Sequence, residues 1–261
     1  MGATPPPQRR RRRSLKPTGD QTTTTPVQRS TRSSSKGHKP WSPKYKIGEL
    51  RPDGDFRMTF TQELCNAMSM ILPSCLIAYY WIWEPPATED EPFWNIYSKA
   101  FAFGTLLHLP FSVAYHLLCA FDYFEDRIDC VPRKLDQTLI HVVSAILAWA
   151  LSGVDLYGCG CGIVNTWFIA KLWMKGPHNT SFERRSNVII AVVLYTFPLL
   201  WYGDVVNFAG ASISFWGVAA MAFAMNRHLR GWGHSVFHAV FLPFTHFLLM
   251  AAAQVPVHLG K

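Results

Sequence analysis

The sequence predicts an all-α membrane protein, in which a bundle of seven transmembrane helices follows a disordered basic N-terminal tail. Three observations predict this architecture. Seven apolar stretches follow Arg57, each near the roughly 20 residues that a helix needs to cross a bilayer. Short linkers with glycine and proline separate them, without the roughly ten-residue alternation of a membrane β-barrel. The 261 residues are 49% hydrophobic yet carry a formal net charge of +8, which points to segregated charge.

The N-terminal segment, residues 1–57, holds this positive excess. It contains 14 Lys and Arg against 4 Asp and Glu, whereas the remaining residues contain 11 against 13. The segment is rich in Pro, Ser, Thr and Arg, so it cannot bury enough apolar surface to offset the entropy lost on ordering. We predict a disordered cytosolic tail whose Arg9–Arg13 run can attract anionic lipid headgroups. No nucleic acid partner is expected.

The seven predicted spans form one domain, residues 58–254, and residues 255–261 form a short C-terminal tail. The fourth span is glycine-rich and contains Cys159 and Cys161. We interpret these cysteines as small packing residues, because no second cysteine pair stands at zinc spacing. In chain order, the spans are predicted at 60–83, 101–121, 136–154, 156–174, 187–203, 208–226 and 235–253.

The alternation of charge between the loops orients this bundle. The loops after the second, fourth and sixth spans are basic, with Arg133, Arg185 and Arg230 among their residues. The loops on the opposite side are acidic or neutral apart from one lysine. Cytosolic loops carry the excess of Lys and Arg. The N-terminus is therefore predicted in the cytosol and the C-terminus on the outer or luminal side.

Five polar residues from three of the spans reach the same predicted depth. Ser112 and His116 stand near the cytosolic end of the second span, Asp136 begins the third, and His234 and His238 begin the seventh. Residues four apart share one helix face. At 1.5 Å per residue, the five residues fall within a layer about 10 Å thick. Ionisable residues inside a membrane are costly, so this layer is the candidate functional site.

Three imidazoles in one layer predict a metal site. His116, His234 and His238 can supply three ligands to zinc and leave a fourth position for water, which is the pattern of catalytic zinc. Asp136 can hold that water and accept its proton. Ser112 can bond the water, a ligand or a substrate carbonyl. Each residue alone also fits helix packing or capping, and it is the shared depth that favours a metal.

These residues carry a family resemblance. "SVAYH" at 112–116, Asp136 in the next span, and "HSVFH" at 234–238 resemble the signature of the seven-span CREST superfamily. That superfamily includes the hemolysin III-like proteins, the progestin and adipoQ receptor family, and the alkaline ceramidases. The resemblance covers about residues 60–253 and leaves out the basic tail.

A second motif resembles the start of the hemolysin III/adipoQ receptor module. "QELCNAMSMILP" at 62–73 contains Glu63 and Asn66 at the spacing of its Glu-x-x-Asn motif. The module usually continues with Thr-His, whereas this chain has Ser69 and Met70 there. The resemblance therefore holds for the superfamily and leaves the subfamily open.

The resemblance implies a zinc ion held by the three histidines, with Asp136 on its water and Ser112 supporting the site. It also implies hydrolysis of lipid amides, such as ceramide, in a cavity open to the membrane. A cytosolic N-terminus fits the adipoQ receptors and is opposite to the alkaline ceramidases. A second function stays open, namely a seven-span receptor or lipid sensor with a structural zinc. Asp136 and Ser112 favour chemistry, since a structural site is better closed by a fourth protein ligand.

The other histidines within the spans are interpreted as ordinary helix residues. His141 lies five residues after Asp136 and is predicted to pack against a neighbouring helix. His108 is predicted two turns further from the cytosol than His116, and His246 lies two turns beyond His238. None of the three is expected to bind the metal.

Overall fold

Helices joined by turns and short connections make up the part of the chain that the computed structural model describes. This part covers residues 58–83, 93–123, 130–175 and 180–260, and it contains no strand. The predicted all-α fold class is therefore confirmed for the described residues. The predicted tail, with its Arg9–Arg13 run, lies outside them.

The described helices follow one another closely, and a π-helical segment, Ile213–Ala220, joins α7 to α8. The last helix runs into the segment predicted as a C-terminal tail. In chain order, the helices are α1 Phe60–Ser69, α2 Leu72–Ile82, α3 Ile96–Ala120, α4 Val131–Ser152, α5 Asp155–Lys175, α6 Ser181–Trp201, α7 Val205–Ser212, α8 Met221–Ala224, α9 Trp232–Ala239 and α10 Phe241–His258.

Five helical stretches of the described chain are long and apolar enough to cross a membrane, which fits an integral membrane protein. They have 20 to 27 residues, and at 1.5 Å per residue this gives about 30–40 Å, enough for the hydrocarbon core. Helices α5 and α6 have 21 residues each but are not apolar enough to be counted with them. The five stretches are Phe60–Ile82, Ile96–Ala120, Val131–Ser152, Val205–Ala224 and Trp232–His258.

The first of these stretches is broken into α1 and α2 rather than continuous. Pro73 stands in the first turn of α2. Proline has no N–H to donate, and its ring collides with the carbonyl four residues earlier, here that of Ser69, where α1 ends. The sequence predicts a single span over these residues, and the proline divides it into two helices.

Local hydrogen bonds set where α1 begins. The Gln62 N–H donates to Thr59 Oγ1 at 3.2 Å, and the Thr59 N–H donates to Gln62 Oε1 at 2.8 Å. This reciprocal arrangement is a capping box, which satisfies two amide groups that a helix start leaves open. Gln62 Nε2 also donates to the Arg230 carbonyl at 2.9 Å. The start of α1 is thereby joined to the turn that precedes α9.

The buried core is formed mainly by α3, α4, α6 and α10, and several helices meet near one end of α3. Helix α3 packs against α1, α4 and α10, while α9 packs against α1. Small side chains such as Ala148 and Ala252 are fully buried, so the helices can approach closely. The largest fully buried core residues include Phe101, Leu151, Leu199, Leu248 and Leu249.

Gly233 allows α9 to lie against the end of α8. A Cβ atom at Gly233 would lie 2.1 Å from the Ala222 carbonyl oxygen and 2.9 Å from Asn226 Cα. Because these are backbone atoms, they cannot rotate away. We expect Gly233→Ala to lower the free energy of unfolding by about 1–3 kcal/mol or more, which thermal unfolding in detergent would detect as a lower Tm.

Gly162→Ala is the matched control, because a Cβ atom there meets nothing within 4 Å. It should unfold at or slightly above the wild-type temperature, because alanine is favoured over glycine within a helix by about 1 kcal/mol. An unchanged Tm for Gly233→Ala would show that α9 can move away from α8 at little cost.

Candidate metal centre

Three buried or half-buried histidines meet where α9 packs beside the end of α3. His116 lies in the last turns of α3, and His234 and His238 lie one turn apart on α9. The centroids of their rings are 4.6 to 5.5 Å apart. Each ring offers one nitrogen, and the three nitrogens lie within 4.8 Å of one another. The fold thus brings the three predicted ligands within metal-binding distance.

The spacing and chemistry of these nitrogens fit a transition metal ion. His234 Nε2 and His238 Nε2 are 2.9 Å apart. Zinc–nitrogen bonds of about 2.0–2.1 Å at tetrahedral angles place ligand nitrogens roughly 3.3 Å apart. Only a small adjustment would therefore separate the two rings to ligand spacing. A set of three imidazoles suits zinc and its neighbours in the first transition row rather than magnesium or calcium.

Glu63 contacts the first of these histidines from α1. Its Oε2 lies 2.9 Å from His116 Nδ1, and both side chains are only 2% exposed. Metal-binding histidines commonly donate their second ring N–H to a carboxylate, which fixes the tautomer and the ring orientation. The contact with Glu63 leaves His116 Nε2 for a metal. In the sequence, Glu63 stands out only as part of a motif, and no role is predicted for it.

His238 has a different kind of neighbour behind it. Its Nδ1 lies 2.8 Å from the sulfur of Met70, and a thioether is a weak hydrogen-bond acceptor. One candidate ligand, His116, is therefore in contact with a carboxylate, and another, His238, with a thioether.

Asn66, one turn after Glu63, connects α1 to α9 through a hydrogen bond. The hydroxyl of Ser235, which follows His234 in the chain, donates to Asn66 Oδ1 at 2.6 Å. The backbone N–H of His234 donates to Asn226 Oδ1 at 3.3 Å. Both residues of the Glu-x-x-Asn motif therefore contact the helices that carry the histidines.

Asp136 lies in the second turn of α4 and pairs with His108, one of the histidines for which the sequence predicted no special role. His108 Nε2 is 3.0 Å from Asp136 Oδ1. Asp136 also interacts electrostatically with His116 and lies beside Ser112. The carboxylate is therefore adjacent to the histidine group. A signal for His108 exists in the sequence, since His108, Ser112 and His116 follow one another at intervals of four on a single helix.

Ser112 has a buried hydroxyl without a well-formed hydrogen bond. Its side chain is close enough to Asp136 to interact with the carboxylate, yet Oγ meets hydrogen-bond geometry with no residue in the described part of the chain. Ser112 is 1% exposed, and most buried polar atoms do have a partner. The hydroxyl is thus available to a water molecule or a ligand at the centre.

Glu63→Gln tests whether this carboxylate supports a metal ligand. The amide keeps the size of the side chain but removes the negative charge from the group that accepts the hydrogen bond of His116. We expect zinc affinity to fall by about 10- to 100-fold, measured by competition with a chelator of known affinity. Glu183→Gln, on the exposed Lys175–Glu183 pair, is the control and should leave zinc affinity unchanged. Unaltered affinity in Glu63→Gln would mean that the contact only packs the helices.

Two histidines outside this group, His141 and His246, have other partners. His141 pairs with Asn165 Oδ1 at 2.9 Å between α4 and α5, which confirms its predicted role in helix contact. His246 lies 2.7 Å from the Tyr80 hydroxyl between α10 and α2. Cys159 and Cys161 both lie within α5 as free cysteines.

The larger of the two cavities described lies away from the histidines. It has a volume of about 460 Å³ between α5 and α6, and its lining includes Tyr157, Leu194 and Trp201. This lining is apolar and contains no residue of the histidine group, so the candidate functional site is the histidine group and not this cavity.

Comparison with protein-family models, with curated proteins and with solved structures gives no match for this chain.

Proposed function

We propose that the protein is an integral membrane, zinc-dependent hydrolase that cleaves amide bonds in ceramide-like lipids. The observation that carries this proposal is the buried group of His116, His234 and His238 within metal-binding distance. A carboxylate and an unpartnered hydroxyl next to that group supply what hydrolysis needs beyond the metal. The resemblance to the CREST superfamily supports the same assignment and leaves the subfamily open.

Each side chain has a role in this proposal. A zinc ion held by the three histidines would polarise the amide carbonyl and acidify a water molecule. Asp136 accepts the proton of the attacking water and passes it to the leaving amine. Ser112 donates a hydrogen bond to the carbonyl oxygen, on which negative charge develops. Four protein ligands would fill the coordination shell of the zinc ion, whereas three histidines leave one coordination position open for water.

The proposed arrangement in the membrane has seven spans, with α5 and α6 as the fourth and fifth. Both helices have exposed apolar residues, among them Ile163 and Trp167 on α5 and Ile190 and Phe197 on α6. Large exposed apolar faces are typical of contact with lipid or with a partner. Seven spans also place all basic loops, and the basic tail with its attraction to anionic headgroups, in the cytosol.

The loop between α5 and α6 distinguishes seven spans from five, because only its side of the membrane differs between them. We expect an epitope inserted between Gly176 and Pro177 to lie on the same side as an N-terminal epitope. An epitope between Thr88 and Glu89 should lie on the opposite side. Antibody access to sealed and opened vesicles measures this. An epitope after Gly176 on the same side as that after Thr88 would leave five spans.

The function is tested with the full chain purified in detergent. Metal analysis should find about one zinc per chain, and a ceramide-like lipid should be hydrolysed to fatty acid and sphingoid base. A chelator should stop the reaction, and added zinc should restore it. Zinc with lipid binding but no turnover, over a panel of lipid amides, would overturn the hydrolase and favour the receptor or lipid sensor.

A further inference from the structure

The contact between His108 and Asp136 joins the two helices that carry the polar residues of the centre. His108 lies on α3, two turns before His116, and Asp136 lies on α4. The side chains of His108 and Asp136 are 15% and 12% exposed, and their polar atoms meet at 3.0 Å. A carboxylate at this burial is costly unless it is hydrogen-bonded or paired. His108 is the side chain that meets this requirement for Asp136 Oδ1.

Two side chains of α3 compete for the Asp136 carboxylate. His108 forms a well-defined hydrogen bond at 3.0 Å, whereas the Ser112 hydroxyl lies close enough to interact with the carboxylate but does not reach hydrogen-bond geometry. The contact with His108 therefore has two effects. It fixes the orientation of the carboxylate, with Oδ1 engaged by the imidazole, and it leaves the Ser112 hydroxyl unpartnered.

We propose that His108 is a positioning residue, which holds the Asp136 carboxylate toward the water of the metal centre and keeps Ser112 free for the substrate. The inference rests on the proposed zinc hydrolase and extends it by one residue. Without His108, the carboxylate turns to the nearest remaining donor, Ser112. The Asp136 carboxylate and the Ser112 hydroxyl then bond to each other, and neither is available to water or substrate, although neither residue has been replaced.

His141, a buried histidine on α4, shows how a merely structural pair differs. His141 meets the Asn165 amide, which in turn donates to the Cys161 carbonyl at 2.9 Å. That chain of bonds ends within α5 and reaches no side chain of the histidine group. The His108–Asp136 pair instead ends beside Ser112 and His116. Variants of the two histidines therefore separate positioning from general loss of a buried hydrogen bond.

The test compares His108→Leu, His108→Gln and Asp136→Asn, each alone, and the double variant His108→Leu/Asp136→Asn. Leucine removes the donor, whereas the glutamine amide retains an N–H donor at a similar reach. His141→Leu is the matched control. The readouts are zinc content, the visible spectrum of the cobalt(II)-substituted protein, which responds to the surroundings of the bound water, and kcat and KM for lipid amide hydrolysis.

We expect His108→Leu to retain about one zinc per chain and to shift the cobalt spectrum as Asp136→Asn does. The double variant should add nothing to either single change, because the two residues act as one unit. The kcat of His108→Leu should fall by about 10- to 100-fold, as expected for a misplaced catalytic group. His108→Gln should recover most of it, and His141→Leu should change neither spectrum nor kcat.

Two results would overturn the positioning role while leaving the zinc centre intact. One is a wild-type cobalt spectrum and kcat in His108→Leu. The other is an additive double variant. Loss of zinc in His108→Leu would make His108 a structural residue of the centre and would also overturn the proposal. A wild-type chain that binds neither zinc nor cobalt would instead refute the proposed function itself.

Discussion

Replacing His238 by alanine is expected to reduce bound zinc from about one per chain to nearly none. The His238 ring lies nearer to the other two rings than they lie to each other, with centroids 4.9 Å from His116 and 4.6 Å from His234, against 5.5 Å between His116 and His234. Its removal leaves two imidazoles, and two nitrogen ligands do not complete the three-residue shell of a catalytic zinc site. Metal analysis after dialysis against a weak chelator measures the loss.

His246→Ala is the matched control for this change. His246 lies on α10, in the same predicted span as His238, but it contacts Tyr80 rather than the histidine group. It should keep its zinc even where its stability falls. Zinc that survives replacement of His116, His234 and His238 together would locate the metal elsewhere in the chain.

Replacing Asp136 by asparagine is expected to abolish lipid amide hydrolysis while zinc remains bound. The asparagine keeps the size of the side chain, and its amide oxygen can still accept from His108. It cannot accept a proton from the attacking water. We expect a loss in kcat of about 100-fold or more, which is the usual contribution of a general base. Zinc content and hydrolysis are measured on one preparation, so that metal loss and base loss are separated.

Two outcomes would change the role of Asp136. Full hydrolysis by Asp136→Asn would remove the carboxylate from the mechanism. Loss of zinc together with activity would make it a ligand or a residue needed for folding. In a lipid sensor the same variant would leave lipid binding unaffected, because no proton is transferred.

Helix periodicity accounts for the part of the centre that the sequence predicts. His234 and His238 are four apart on one helix, as are Ser112 and His116, so their shared faces follow from the geometry of a single helix. Shared depth then relates the positions of residues on different helices only along the membrane normal. It predicted that α3, α4 and α9 would contribute to one layer, and those helices do carry the residues that meet.

The contacts that were not predicted depend on how each helix is rotated about its axis. Glu63 and Met70 both lie on the first predicted span, and nothing in their spacing indicates that one reaches His116 and the other His238. The partner of a polar side chain depends on the crossing angles between helices, and these angles cannot be predicted from the local sequence of one helix. The fourth and fifth spans stay predictions for a different reason, since glycines and charged residues dilute the apolar character of α5 and α6.

The centre is divided between the two ends of the chain, and this has a consequence for biosynthesis. Glu63 and His116 are synthesised early and pack together on α1 and α3, whereas His234 and His238 arrive with the final span. Domains fold from the N-terminus during synthesis. Of the three candidate metal ligands, the growing chain therefore has only His116 until α9 has been synthesised. In the proposed zinc enzyme, the metal centre would therefore be completed only after α9 has been made, and a chain truncated before α9 would lack two of the three histidines.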